Sequence, residues 1–272
     1  MTPSAIPTSD GESTPVDSSA ESSVGIRLEC DGPVATVTLC RPDVLNAQTP
    51  QMWMALRDYG RTLTGEVRVV VVRGEGRAFS AGLDLSVAQA PDGLLSRIAP
   101  LPADEAVAQI SEYQEAFSWL RRPDLVSIAA VQGHAIGAGF QLALACDLRV
   151  LADDAKFTMA EVSLGLVPDL GGTKRLVELV GYARALEICV TARRVAADEA
   201  GRIGLANLVV PVADLAAATA DLAAAVLAAP RDAVIEIKAL LAAAASRDFD
   251  GQEAAERAAQ VRRIRDLAGL AE

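Results

Sequence analysis

The spacing of apolar and polar residues predicts an alternation of strands, glycine-containing turns and helices from residue 25 onward. "GIRLEC" and "VATVTLC" alternate on either side of "DGP", which predicts a β-hairpin. "NAQTPQMWMALRDYGRTL" has the apolar spacing of an amphipathic helix, and the valine-rich "VRVVVVRG" that follows predicts a buried strand. The recurring order of strand, turn and helix indicates an α/β fold.

The same alternation continues through the middle of the chain. "DEAVAQISEYQEAFSWLRR" predicts a helix with Asp104 as its N-cap, whereas the proline-containing residues 91–103 predict an irregular, mobile surface segment. "LVSIAAVQG" and "LRVLA" predict strands on either side of a helix in "GAGFQLALACD". Further along, "GGTKRLVELVGYARALEICV" predicts one long helix, "AADEAGRIG" a short helix and "ANLVVP" a strand.

The two ends of the chain differ from this middle part. Residues 1–24 are rich in Ser, Thr and Pro and contain acids but no Lys or Arg, which predicts a disordered tail rather than a secretory signal. Residues 211–272 are alanine-rich and predict helices, with breaks at Pro230 and near residues 248–251. Because the apolar faces of these helices are extensive, we expect them to cover a neighbouring subunit or the chain's own core. Residues 25–210 then form the predicted α/β core.

Composition narrows the class of partner. The chain has 272 residues and a net charge of −11, which argues against nucleic acid or an anionic membrane surface as the main partner. No apolar run reaches transmembrane length without a charge or a breaker, so no membrane span is expected. The four scattered cysteines lack CxxC spacing, which predicts reduced thiols and a cytoplasmic protein. Since His134 is the only histidine, no metal site is expected.

Two glycine-rich junctions are the strongest candidates for a site. "VVRGEGRAFSAGLDL" and "VQGHAIGAGFQLALACD" each run from a valine-rich strand, through small residues, into a predicted helix N-terminus, where free backbone N–H groups favour negative charge. Neither contains GxxxxGK[ST] or GxGxxG, so the phosphate-loop and dinucleotide hypotheses fail. "AFSAG" nearly matches the hydrolase motif GxSxG. A hydrolase with Ser80 as nucleophile and His134 as base is therefore an alternative, although this near-match is weak support.

Four motifs in order identify a family resemblance. "RPDVLNAQ", "GRAFSAGLDL", "AAVQGHAIGAGFQLALACDLRV" and "GLVPDLGGTKRL" together resemble the crotonase superfamily, the enoyl-CoA hydratase/isomerase family, over about residues 25–210. The resemblance implies a crotonase-type spiral of ββα units and an acyl-CoA thioester substrate. It implies no cofactor, because coenzyme A is part of the substrate. It also implies homotrimers or hexamers that assemble through the C-terminal helical region.

The resemblance also implies where the substrate binds. The family's oxyanion hole consists of two backbone N–H groups, which fall on Leu83 and Ala138, and such donors stabilise an enolate. Basic residues that the family often has near the coenzyme are replaced here by Asp43 and Ser86, so the phosphates meet fewer contacts. For Asp84, a cap or turn hydrogen bond is better supported than catalysis. The expected substrate or coenzyme contacts are Arg41, Ala47, Ser80, Ala81, Asp84, Gly137 and Lys238.

The apolar stretch "MAEVSLGLVPDLGG" contains two carboxylates, Glu161 and Asp169. The two glutamates of family hydratases fall on Gln141 and Glu161, and an amide at position 141 can hold a water but cannot take its proton. Asp169 falls where several family isomerases have their acid. A dry pocket raises the pKa of a carboxyl group, which makes a better base, and pairing two acids separates their pKa values.

These residues favour an enoyl-CoA or dienoyl-CoA double-bond isomerase that uses Glu161 and Asp169. Two alternatives stay open, namely an enoyl-CoA hydratase that relies on Glu161 alone and a non-catalytic acyl-CoA binder, for which Gln141 is the sequence evidence. The structural alternative for Asp169 is a turn residue after Pro168, where aspartate is common.

Overall fold

The computed structural model describes residues 24–270, so most of the predicted tail lies outside the described residues. Nine strands are present in this part of the chain: β1 (Ile26–Asp31), β2 (Val34–Leu39), β3 (Val69–Gly74), β4 (Val126–Val131), β5 (His134–Ile136), β6 (Leu148–Ala152), β7 (Lys156–Thr158), β8 (Val195–Ala196) and β9 (Leu208–Val210). The helices of the same residues are α1 (Pro50–Thr62), α2 (Leu85–Ala88), α3 (Leu94–Ile98), α4 (Ala103–Ser118), α5 (Ala138–Ala145), α6 (Gly172–Val180), α7 (Tyr182–Thr191), α8 (Ala197–Arg202), α9 (Leu215–Ala228), α10 (Arg231–Ala244) and α11 (Phe249–Leu267).

The strands form two sheets. The larger sheet has the order β1-β2-β3-β4-β6-β9, in which the predicted hairpin β1-β2 is antiparallel and every later pair is parallel. Parallel neighbours need crossover connections, and helices supply them. The smaller sheet has the order β5-β7-β8. The α/β class expected from the sequence is therefore confirmed.

The four consecutive valines of β3 show why a strand of the larger sheet has a continuous apolar sequence rather than an alternating one. Val70 and Val72 belong to the main core, whereas Val69 and Val71 belong to a second apolar cluster against α9. Both faces of the strand are thus covered, which is the usual situation of a parallel sheet. The first C-terminal helix accordingly covers the chain's own core, which was one of the two expectations for that region.

Three local predictions were wrong. The predicted long helix is two helices, because Gly181 adopts φ 78 and ψ 162, a conformation that interrupts the helix and favours glycine. Helix α4 begins at Ala103 after Pro102, with no side-chain cap from Asp104. The segment 91–103, predicted to be irregular, contains α3.

The last two helices expose large apolar side chains. Ile237 is 56% exposed, Leu241 71% and Phe249 79%. The expected assembly into trimers or hexamers through this region stays a prediction. Within residues 24–270 no single helix meets the length and hydropathy of a membrane span, and only the pair Val212–Ala228 and Arg231–Ala244, bent by 104°, does so jointly.

A buried ion pair joins α10 to the larger sheet. Lys238 Nζ lies 2.6 Å from Asp147 Oδ2 and donates a hydrogen bond of 2.6 Å to the carbonyl of Leu125. The same Asp147 oxygen accepts hydrogen bonds from the backbone N–H and the hydroxyl of Ser127. The two side chains of the ion pair are 12% and 17% exposed, and burial lowers the pKa of Lys238 although Asp147 faces it.

Replacement of this lysine tests how firmly the C-terminal helices are held. Lys238→Met leaves a largely buried carboxylate without its cation, so we expect the free energy of unfolding to fall by about 3 kcal/mol. Lys174→Met is the control, because Lys174 pairs with Glu178 while 71% exposed and is expected to contribute less than about 1 kcal/mol. Denaturant titration measures both values. Equal losses of stability in the two variants would contradict the conclusion that the buried ion pair of Lys238 stabilises the fold more than an exposed one.

Candidate active site

The two glycine-rich turns meet at Gly82. The turn 80–83 runs beside β5, with Ser80 N–H donating to His134 O and Ile136 N–H donating to Ser80 O. At φ 86, Gly82 packs so closely that a Cβ atom would lie 2.3 Å from Ile136 O. The same hypothetical atom would lie 3.5 Å from the backbone nitrogen of Ala138. Only glycine permits this approach, which places the two predicted oxyanion-hole segments side by side.

The two predicted donors are available for a ligand. Ala138 is the first residue of α5, so its N–H has no partner within the helix. Leu83 lies between two backbone hydrogen bonds that tie the turn to Gln48, from Gln48 N–H to Gly82 O and from Asp84 N–H to Gln48 O. Neither Leu83 N–H nor Ala138 N–H has an acceptor among residues 24–270.

Both donors line a cavity of about 530 Å³ with a mostly apolar wall. Trp53 of α1 and Tyr113 of α4 form one side, and Leu94 and Ile98 of α3 form another. Its wall also includes the predicted residues Leu83, Ala138, Ala81, Gly137, Gln141, Glu161 and Asp169. A concave apolar cavity with a few convergent polar groups is typical of a binding site for a small molecule.

Glu161 is a buried acid of the cavity. The residue is 9% exposed, and its Oε2 atom is buried without a hydrogen-bond partner among the described residues. Its Oε1 atom would lie 3.4 Å from a Cβ on Gly137, the residue that precedes the Ala138 donor. Burial raises the pKa of Glu161, and the negative charge of Asp169 raises it further. A carboxylate in this position is a stronger base than an exposed one.

Gln141 connects Glu161 to the turn that begins α6. Its Nε2 donates to Glu161 Oε1 at 2.7 Å, and its Oε1 accepts from Leu170 N–H at 2.9 Å and from Gly172 N–H at 3.3 Å. Both ends of the amide are therefore engaged within the protein. Gln141 orients the glutamate and leaves no free acceptor that could activate a water.

Asp169 is the second acid of the cavity. The residue is exposed at the cavity. The protein around the carboxyl group still removes part of its solvation, and this desolvation raises the pKa of Asp169. Gln114 of α4 donates to the Asp169 carbonyl at 2.6 Å and holds the backbone of this turn. Two acids with raised pKa values thus face one cavity, which is typical of sites that transfer protons.

Several predicted contacts do not line the cavity. The Arg41 guanidinium is bonded to Ala47 O at 2.6 Å and to Asp84 Oδ2 at 2.9 Å. Asp84 also caps α2, where it accepts hydrogen bonds from the Ser86 N–H and hydroxyl. The hydrogen bond from Ser86 contributes most to lowering the pKa of Asp84, and the Arg41 guanidinium lowers it further. The expectation that Lys238 reaches the site was wrong, since its ammonium group is bound at the sheet.

The hydrolase alternative was wrong because the Ser80 hydroxyl is fully used. Ser80 is buried, donates to Asn46 O at 2.8 Å and accepts from Gln48 Nε2 at 3.0 Å and from Gly82 N–H at 3.1 Å. His134 contributes only its backbone carbonyl to a hydrogen bond with Ser80, so within residues 24–270 the hydroxyl has no histidine base. Ser80 instead fixes the turn that carries the Leu83 donor.

Sequence reasoning did not find the residues that α3 and α4 bring to the cavity. Leu94 and Ile98 were hidden in a proline-containing segment, although their spacing of four residues fits one helix face. Ile110 and Tyr113 likewise lie one turn apart on α4 and line the cavity together. Within residues 24–270 no cluster of His, Cys, Asp and Glu could hold a metal ion.

Comparisons with known proteins agree with this geometry. The family model for enoyl-CoA hydratase/isomerase matches residues 29–266. The short-chain-enoyl-CoA hydratase of Clostridium acetobutylicum is 36% identical over 192 residues, which are 69% of each chain. The crotonyl-CoA hydratase of Syntrophomonas wolfei is 35% identical over 193 residues, 70% of each chain. This chain belongs to the enoyl-CoA hydratase/isomerase family.

Solved structures share the fold. A Thermobifida fusca protein regarded as an enoyl-CoA hydratase, solved in complex with CoA, is 48% identical and has a TM-score of 0.87 over 93% of this chain and 98% of its own. The same protein with acetoacetyl-CoA is 47% identical, with a TM-score of 0.88 over 92% and 98% of the two chains. The predicted crotonase-type spiral is confirmed.

The raised pKa of Glu161 predicts a gain in stability when its charge is removed. A folded-state pKa above the unfolded value of about 4.3 means that the folded protein binds more protons in that window, so stability falls as pH rises through it. We expect Glu161→Gln to raise the thermal midpoint at neutral pH and to lose this advantage below about pH 4. Exposed Glu66→Gln is the control and should shift the midpoint little. A neutral-pH midpoint at or below that of the wild type would contradict the prediction.

Proposed function

We propose that this protein is an acyl-CoA enzyme that shifts the double bond of an enoyl-CoA or dienoyl-CoA thioester. The observation that carries the proposal is that Glu161 and Asp169 line one apolar cavity together with the Leu83 and Ala138 N–H groups. A double-bond shift needs a base, an acid and an oxyanion site, and it needs no water. The CoA-bound relatives from Thermobifida fusca support a CoA thioester as the substrate class.

The proposed reaction begins at the thioester. Its carbonyl oxygen accepts hydrogen bonds from the Leu83 and Ala138 N–H groups, which stabilise the negative charge that develops there. Glu161 removes the proton from the α-carbon, because it lies beside the residue that precedes the Ala138 donor. The electron pair of the C–H bond moves into the dienolate, and the charge rests on the thioester oxygen.

The second proton transfer completes the shift. Asp169, in its protonated form, gives a proton to the γ-carbon of a 3-enoyl chain, and the double bond forms between the α- and β-carbons. One proton leaves the substrate and one returns. The turnover leaves Glu161 protonated and Asp169 ionised, and exchange of one proton between the two groups through solvent, to which Asp169 is exposed, restores the starting state. The raised pKa values of both carboxyl groups support these roles, because proton transfer is most efficient when the pKa lies near the working pH.

A second candidate is the hydration of an enoyl-CoA. The names of the curated relatives from Clostridium acetobutylicum and Syntrophomonas wolfei favour it. Against it stands Gln141, whose amide is bonded at both ends and offers no proton acceptor to a water. Hydration would then depend on Glu161 alone. A panel of crotonyl-CoA, a 3-enoyl-CoA and a 3,5-dienoyl-CoA separates the two reactions, and no turnover of any of them would favour the non-catalytic binder.

Asp169→Asn tests the acid that distinguishes the proposed reaction. The substitution keeps the shape of the side chain but removes its proton transfer. We expect kcat for isomerisation to fall by about 10² or more with little change in KM, because the group acts mainly in the transition state. Exposed Asp153→Asn is the matched control. If kcat per folded molecule is retained while the thermal midpoint drops, Asp169 serves the turn after Pro168 instead.

Gln141→Glu tests why hydration would be weak. A carboxylate there keeps the acceptor for Leu170 N–H but replaces the donor 2.7 Å from Glu161, so the two acids share a proton and form an acid and a base. We expect crotonyl-CoA hydration to rise by about tenfold or more. Gln141→Ala, which adds no acid, should give no gain. An unchanged rate in Gln141→Glu would mean that the cavity, rather than the missing carboxylate, limits hydration.

A further inference from the structure

Tyr113 is a buried residue of the cavity that the proposed reaction does not use. It belongs to α4, lines the cavity and is 6% exposed. Its hydroxyl has no hydrogen-bond partner among residues 24–270. Because Tyr113 lines an open cavity, water can reach its hydroxyl there, and a ligand that covers the hydroxyl must offer it an acceptor or leave it unsatisfied.

Packing does not require this hydroxyl. The Tyr113 ring contacts Trp53 at a centroid distance of 5.2 Å and an interplanar angle of 59°. Trp53 in turn donates its indole N–H to Gln48 at 2.8 Å, so the ring against which Tyr113 rests is fixed. A phenylalanine would make the same ring contact with Trp53. We therefore expect the hydroxyl of Tyr113 to interact with a ligand in the cavity rather than to contribute to packing in the core.

The surroundings of the hydroxyl favour an acceptor on the ligand. Burial raises the pKa of Tyr113; the positive charge of Arg97 opposes this shift, and the negative charge of Glu112 adds to it. Arg97 is exposed on α3 and has no ion pair among the described residues. The rest of the wall nearby is aliphatic, with Leu94, Ile98 and Ile110. The Tyr113 hydroxyl, with Arg97 nearby, is thus a hydrogen-bond donor within an otherwise apolar part of the cavity wall.

We propose that Tyr113 sets substrate specificity, its hydroxyl donating a hydrogen bond to an oxygen substituent on the acyl chain. This inference rests on the acyl-CoA function proposed above and narrows it to thioesters whose chain carries a hydroxyl, carbonyl or carboxylate oxygen beyond the reacting carbons. A site that hydrogen-bonds such an oxygen discriminates against the plain chain, because a plain chain that covers the hydroxyl offers it no acceptor.

Matched substrate pairs test the proposal. Each pair contains a plain enoyl-CoA and its analogue of equal length with a terminal oxygen substituent, over several chain lengths, and the readout is the ratio of their kcat/KM values. We expect the wild type to prefer the oxygenated partner at one length. In Tyr113→Phe this preference should fall about fivefold to tenfold, where tenfold corresponds to about 1.4 kcal/mol. A merely structural role would lower both values and leave their ratio unchanged.

The control is Tyr182→Phe, which makes the same change on a side chain that is 71% exposed outside the cavity and should leave the ratio at its wild-type value. Calorimetric affinities for saturated, unreactive pairs provide a readout that does not depend on turnover. Absence of any turnover by the wild type would therefore overturn the proposed reaction while the affinity ratio still tests Tyr113. A wild type without preference at any length, or an unchanged ratio in Tyr113→Phe, would overturn the inference.

Discussion

The close contact between Gly82 and the backbone at Ile136 is the constraint on which the rest of the site depends. Two N–H groups can serve one oxygen only if their peptide units lie side by side, and here no space remains for even a methyl group between the turns. Hydrogen bonds between the turn and β5 maintain this contact. The buried hydroxyl of Ser80 stabilises the same turn by donating a hydrogen bond to the carbonyl of Asn46. The two turns are consequently held together without a ligand, and the proposed oxyanion hole requires such preorganised donors.

The same arrangement has a cost in stability. An apolar cavity that faces two carboxyl groups raises the pKa of both Glu161 and Asp169, because the cavity disfavours their charged forms, and stability is lost whenever either group is ionised there. The covered valine strand β3 and the ion pair between Lys238 and Asp147 lie elsewhere and provide stability that the site does not. Function and stability thus occupy different parts of the molecule, as expected when an active site violates the rules that the core obeys.

Most of the fold could be predicted from local patterns, whereas much of the site could not. The hairpin, the valine strand and the glycine-rich turns have signatures within a few residues, and the family resemblance predicted the donors at Leu83 and Ala138. Tyr113 lacks such a signature, because an apolar helix face reads the same whether it contacts a core or a cavity. The expectation for Lys238 failed because the partner of a lysine on a C-terminal helix depends on packing across 91 residues of sequence, to Asp147.

Gln141 shows how one residue can change the chemistry of a site without changing its shape. As an amide it donates to Glu161 and accepts from the backbone of Leu170, so it satisfies both neighbours in a single orientation. A glutamate in its place could accept the same backbone hydrogen bond, but it would compete with Glu161 for a proton. The glutamine therefore leaves Glu161 as the only ionisable group in this pair, and Asp169 is the other acid facing the cavity within residues 24–270. Because the second acid of the cavity is Asp169 rather than residue 141, the proposed reaction moves a proton along the acyl chain and adds no water to it.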